Sequence, residues 1–334
     1  MSNTDTETKT PNIEVSTSPH LADPKGTTRR IMYDVLIGLV PAVVLSVVIF
    51  QWHSAVHLGI CIVTCMATEW ACQRMRGRRA TLEDGAAIIT GVILGLSLPA
   101  SCPIFVPILG SIAAIALGKM VFGGLGCNLF NPAMVGRAFV MLSFAALLGS
   151  SSYVIGSDVT DIEVLTQATP LAIAKATATD IWSEGIWPLF LGHTNGSLGE
   201  TSALMLLLGG IYLCVRRVAA WEIPAAMLAA MLVLGQLFYW MDLTKFSGIY
   251  QICSGAAMLG AFFIATDPVT SPMSFKGKVI YGAGIGVLTI IMRVFSGYTE
   301  GVMFAVLLMN AAVPLLNRWT IPVPLGGKPQ PQEG

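Results

Sequence analysis

IMYDVLIGLVPAVVLSVVIF, residues 31–50, is a run of twenty residues with a single charge, Asp34. A helix rises 1.5 Å per residue, so this run spans about 30 Å, the thickness of a bilayer's hydrocarbon core. Composition points the same way. Of 334 residues, 54% are hydrophobic and 11% charged, against about 25% charged in soluble domains, and mean hydropathy is +0.72. The chain reads as an all-α integral membrane protein whose solvent is lipid. Its 19 Lys and Arg balance 19 Asp and Glu, and no basic tract is long enough to follow a nucleic-acid backbone, which excludes nucleic acid as a partner. Residues 1–30 are rich in Thr, Ser, Pro and charge and have no apolar core, so they predict a surface arm and not a signal peptide.

Nine further apolar runs follow, giving about ten transmembrane helices: Val56–Cys72, Gly85–Leu98, Ile104–Val121, Pro132–Leu148, Ser202–Val215, Glu222–Trp240, Gly248–Ala265, Val279–Met292 and Val302–Leu316. The shorter ones suggest broken or tilted helices. With the amino terminus inside, sixteen of the nineteen basic residues fall on the cytoplasmic side, Arg74, Lys119, Arg137, Arg216 and Lys276 among them. Only Lys175, Lys245 and Arg293 fall outside. That bias orients the chain in a cell inner membrane with both termini cytoplasmic. After five crossings the polar segment 150–200 lies outside, and Thr169 with it.

Two pairs of stretches match at an offset of about 170 residues, as membrane proteins with internal repeats show. Asp84-Gly85-Ala86-Ala87, ending in Ser97-Leu98-Pro99, resembles Ser254-Gly255-Ala256-Ala257, ending in Thr266-Asp267-Pro268. Val121-Phe122-Gly123-Gly124 resembles Val294-Phe295-Ser296-Gly297. Five spans per copy is an odd number, so the second copy is inverted in the membrane. The expected division is an arm at 1–30, a first five-helix repeat at 31–149, an outer segment at 150–200, a second, inverted repeat at 201–317 and a cytoplasmic tail at 318–334. Each face then receives one broken-helix element from each half, which predicts two polar pockets on opposite sides of one bundle.

On the cytoplasmic face stand Gly123, Gly124 and Gly126, then Asn128, Asn131 and Pro132. The glycines let backbone approach closely. The two amides offer donors and acceptors at a helix start, where they could meet a heteroaromatic edge or serve only as turn and cap. Asp267, before Pro268, joins them; an acid at membrane depth is a functional candidate, although an interfacial cap is its plain alternative. Asp34 and Glu69 read as interfacial. The four histidines read as loop or interface residues, and the seven scattered cysteines as packing residues. Outside, Pro170 pushes Thr169 toward an extended conformation.

Taken together, Asp84-Gly85-Ala86, Leu96-Ser97-Leu98-Pro99, Lys119 to Gly126, Phe130-Asn131-Pro132-Ala133-Met134, Gly199-Glu200-Thr201-Ser202 and Ala265-Thr266-Asp267-Pro268 make the chain resemble the D subunits of Rnf electron-transport complexes. These are sisters of the B subunit of the sodium-pumping NADH:quinone reductase. The resemblance implies a flavin-carrying subunit of an ion-translocating ferredoxin:NAD+ oxidoreductase. It implies covalent FMN on Thr169, the last residue of Thr166-Gln167-Ala168-Thr169, which has Gln where glycine is frequent. It also implies non-covalent riboflavin on the cytoplasmic side, at Asn128, Asn131 and Asp267 near Gly123, Gly124 and Gly126. Glu200, Tyr298, Thr299 and Glu300 are expected beside the outer flavin. Implied partners are the other membrane and peripheral Rnf subunits, a second FMN-bearing subunit among them, and a flavin transferase. The rival reading is a urea-channel-like solute channel, since inverted five-helix repeats also build such channels.

Overall fold

The computed structural model describes residues 27–77, 82–100, 102–148, 152–153, 165–166, 187–191, 196–200, 202–296 and 301–320. Helices dominate them. The first, α1 (Thr28–Met75), has 48 residues and would reach about 72 Å if straight. It is not straight. Gln51 takes φ 53° and ψ −139°, and Ser46 Oγ lies 2.6 Å from Ser54 Oγ. Residues eight apart in a straight helix are about 12 Å apart along its axis, so the chain folds back at Gln51 as two antiparallel arms. The two runs expected at 31–50 and 56–72 are these arms. The reversal takes one residue where the sequence suggested a loop.

Gly85, at φ 76°, starts α2 (Ala86–Ser97), and Asp84 Oδ1 accepts from Ala86 N at 3.0 Å. The next helix, α3 (Phe105–Ile115), widens into a π-turn over Ala116–Met120. After the glycine turn, α4 (Pro132–Ser143) and the short α5 (Ala145–Leu148) follow, parted at Phe144, so the run expected at 132–148 is broken. A two-residue antiparallel ladder pairs β1 (Ser152–Tyr153) with β2 (Leu165–Thr166), and α6 covers Trp187–Leu191. Next come α7 (Ala203–Val215) and α8 (Glu222–Trp240). The run expected at 248–265 is split into α9 (Gly248–Cys253) and α10 (Ala257–Leu259), which leads into a second π-turn, Gly260–Ile264. Last are α11 (Phe275–Phe295) and α12 (Val302–Thr320). The boundary expected at 317/318 therefore falls inside a helix, because Thr320 Oγ1 still bonds Leu316 O and Ser274 Oγ.

Four of these helices, α1, α8, α11 and α12, are long and apolar enough to cross a membrane, and four shorter apolar ones accompany them among the described residues. The distribution of polarity is that of a protein in lipid. Val44, Val48, Val63, Val215, Val233 and Phe295 are exposed, while Glu69, Lys119, Arg137, Arg293 and Asn310 are buried. This is a membrane protein whose described residues are almost wholly helical.

Two contacts hold the halves of the chain together at α1 and α7. A Cβ on Gly209 would collide with Gly38 O, so the two backbones touch, as small residues permit in membrane interfaces. One turn away, Asp34 accepts from Tyr212 Oη and Arg216, both at 3.1 Å. The interfacial Asp34 of the sequence is thus an interhelical brace. In the same way Glu69, 1% exposed, is no interfacial residue but lies inside the bundle.

Candidate functional site

Between the halves lies a cavity of about 750 Å³, partly open to solvent. That figure includes solvent at its open side. The amino-terminal arm of α1, the start of α2, the π-turn of α3 and the start of α4 supply one side; α7 and residues 266–269 supply the other. Most of the wall is apolar, with Met32, Val35, Ile89 and Phe263 among its residues. The polar groups are Thr90, Lys119, Asn128, Asn131, Thr266 and Asp267.

Their hydrogen bonds decide which can take a ligand. Thr90 and Thr266 hydroxyls each donate to a carbonyl one turn back, at 2.9 and 2.6 Å. Asn131 is the N-cap of α4: its Oδ1 accepts from Ala133 N and Met134 N at 3.1 and 3.4 Å. Its Nδ2 donates to Ile264 O, across to the other half, at 3.4 Å. Asn131 is thus largely occupied as a cap, and it stitches the two sides of the cavity. Asp267 closes an Asx-turn, Oδ1 accepting from Val269 N at 3.1 Å and Oδ2 from Thr270 Oγ1 at 3.3 Å; each oxygen keeps a further lone pair. Asn128 differs. It is 6% exposed, its Nδ2 donates to Phe130 O at 3.3 Å, and its Oδ1 is buried with no partner. Buried polar atoms are rarely left so, and this one stands in a cavity wall. An acceptor, a carboxylate and an ammonium around an apolar slot suit a flat ring system with N–H and C=O groups on one edge, as an isoalloxazine has.

Gly123, Gly124 and Gly126 take φ of 122°, 113° and 90°, values that side chains resist. They do not line the cavity; they make the turn that delivers Leu125 and Asn128 to it.

Sequence reading missed the charges beside these residues. Lys119 Nζ lies 2.8 Å from both carboxylate oxygens of Glu69. Arg137, counted by sequence as cytoplasmic, is buried in α4 and pairs at 3.7 Å with Glu200. Glu200, expected beside an outer ligand, is itself 5% exposed. Its segment is pinned to the end of α2 by Leu198 N to Leu98 O at 3.1 Å and Gly199 N to Leu96 O at 2.6 Å. The only available signal was an ionisable residue inside an apolar run, which is costly without a partner. Cys61 and Cys65 are core residues, and no group of three metal-binding side chains is found among the described residues. Thr169, Tyr298, Thr299 and Glu300 lie outside the described residues.

An apolar exterior, charges held inside and a largely apolar cavity with a few polar groups between two halves define an integral membrane protein built around an internal site. The chain belongs to the NQR2, RnfD, RnfE family, which it matches over residues 14–326. It is 38% identical over 311 residues to the D subunit of the Na+-translocating ferredoxin:NAD+ oxidoreductase complex of Acetobacterium woodii, covering 92% of this chain and 94% of that one. The D subunit of the ion-translocating oxidoreductase complex of Halorhodospira halophila is 39% identical over 338 residues, with 92% and 94% covered. The proton-translocating counterpart from Clostridium ljungdahlii is 37% identical over 321 residues, with 93% and 96% covered.

Proposed function

We propose that this chain is the D-type membrane subunit of an ion-translocating ferredoxin:NAD+ oxidoreductase complex. It relays electrons between FMN esterified to Thr169 on the outer side and riboflavin held in the cavity on the cytoplasmic side. The flavins supply the redox chemistry and the protein positions and tunes them. The observation that carries the inner site is the orphaned Asn128 Oδ1 in the wall of the cavity between the halves. Beside it, Asp267 offers further acceptor capacity, and Asn131 acts by holding the two sides of the slot together. Tyr298, Thr299 and Glu300 belong to the outer flavin in this reading, and Glu200 anchors the segment next to it. Relatives named as Na+-translocating and as proton-translocating match the chain almost equally.

The reading includes ten spans in two inverted repeats with both termini cytoplasmic. Gly38 and Gly209, in contact, are separated by the offset of about 170 residues that relates the matching stretches, as expected at a pseudo-two-fold axis. Gly85 and Gly255, which precede the equivalent helices α2 and α10, both take positive φ, 76° and 61°. Tryptophans favour the two membrane interfaces; on this topology the exposed Trp52, Trp187 and Trp240 would fall on the outer side and Trp70, Trp221 and Trp319 on the cytoplasmic side. Removing the buried Lys119, Arg137 and Arg293 from the charge count leaves its asymmetry intact.

Two measurements test this. Asn128→Ala is expected to lower non-covalent riboflavin retention at least about tenfold, the worth of one hydrogen bond to a buried group, with the unfolding midpoint unchanged. Asn131→Ala is expected to cost about 1 kcal/mol of stability through the lost cap. Equal flavin content in parent and Asn128→Ala chains would remove the inner site. For sidedness, exposed Cys127 should react with a membrane-impermeant maleimide in inside-out vesicles and not in intact cells, and Cys127→Ser should abolish that label. Labelling from the outside reverses the orientation.

A further inference from the structure

The cavity wall contains one buried ammonium, and its orientation is informative. Lys119 is 1% exposed and gives two of its hydrogens to Glu69 Oε1 and Oε2. Gln73 Nε2 holds the same carboxylate at 3.1 Å. Lys119 lines the cavity, whereas Glu69 and Gln73 do not. Of the pair, the cationic member is therefore the one that belongs to the cavity wall. Two apolar side chains would brace α1 against α3 without the desolvation cost of a buried ion pair.

We propose that Lys119 biases the cavity toward the reduced form of its flavin, with Glu69 and Gln73 as positioning residues for the ammonium. This rests on the flavin reading above. Two electrons and one proton taken up by an oxidised isoalloxazine leave one negative charge on the ring. The electrons come from the redox group of a neighbouring subunit, or from dithionite in the test, and the proton comes from water. An ammonium has three hydrogens, and Glu69 takes two of them. In a wall of low dielectric a fixed cation stabilises that anion more than it does the neutral reactant.

The full-length Thr169→Ala chain, loaded with riboflavin, isolates the non-covalent flavin for a dithionite titration followed by absorbance. Lys119→Met combined with Glu69→Gln removes both charges and strands neither. It is expected to weaken reduced-over-oxidised binding at least about tenfold, a fall of about 30 mV for a two-electron couple. Glu69→Gln alone strips the ammonium of its counter-charge and is expected to raise the potential. A purely structural brace would not give opposite signs. Unchanged potentials, or shifts of one sign in both variants, overturn the proposal while the flavin reading stands. If the double variant does not purify, the sign of the Glu69→Gln shift decides alone: a rise supports the proposal, and no change or a fall overturns it. If the parent itself retains no riboflavin, the flavin reading fails and this inference with it.

Discussion

Thr169→Ala is expected to abolish the fluorescent band that the mature chain, co-expressed with its flavin transferase, gives at 35.4 kDa on a denaturing gel. A phosphoester to a threonine oxygen survives denaturation, whereas riboflavin held by hydrogen bonds and packing does not. The band therefore reports the covalent site alone. The substitution removes one hydroxyl and keeps Pro170, whose ring disfavours helix at the residue before it. Three residues earlier, Thr166 pairs with Ser152 in the β1–β2 ladder, so the strand leading to the acceptor is tied down on its own account. Thr169→Ser keeps an acceptor oxygen and is expected to keep part of the signal. An undiminished band in Thr169→Ala would place the attachment on another hydroxyl and sink the assignment.

The second large effect is steric. Gly209→Val would drive a Cβ into Gly38 O, and no side chain can move to make room because the obstacle is backbone. The arms of α1 and α7 would have to part, taking the Asp34–Arg216 and Asp34–Tyr212 bonds with them. Overpacking alone costs about 1–3 kcal/mol, and the lost carboxylate contacts add to it. The expected outcome is a much lower unfolding midpoint in detergent and poor recovery of monodisperse protein. Gly59→Ala is the control. A Cβ there meets nothing within 4 Å, and helix propensity favours alanine by about 1 kcal/mol, so its midpoint should hold or rise. Equal behaviour of the two variants would mean that α1 and α7 do not meet as described.

What could be read from sequence depended on whether the signal was local. Long apolar runs announce themselves, so the helices of α1, α8, α11 and α12 fall where hydropathy puts them. The Asn131-Pro132 pair is a local cap signal, and the cap is there. The reversal after Phe50 was legible as a gap between two apolar runs, but not that the single residue Gln51 makes it, because one residue at positive φ has no mark in a window of apolar neighbours. Lys119 and Glu69 were seen separately but not as partners, since fifty residues part them and only packing of α3 on α1 brings them together. The pairing of buried Arg137 with Glu200 was missed for the same reason: the two are far apart along the chain. That Asn128 and not Asn131 keeps a spare acceptor could be learned only from where Phe130 O and Ile264 O lie. The roles of Thr169, Tyr298, Thr299 and Glu300 rest on resemblance and on the repeat.

The two π-turns, Ala116–Met120 and Gly260–Ile264, act on helix phase. Each residue of an α-helix advances the side-chain direction by about 100°, and a π-turn accommodates one more residue than an α-turn, often at functional sites. Here one π-turn contains Lys119 and the other ends three residues before Asp267. Losing a single residue from either would swing everything beyond it by about a quarter-turn, Lys119 off the slot in one case and Asp267 in the other. Chain length in these two five-residue stretches is therefore as constrained as side-chain identity, although the stretches themselves, ALGKM and GAFFI, are mostly apolar and ordinary in composition.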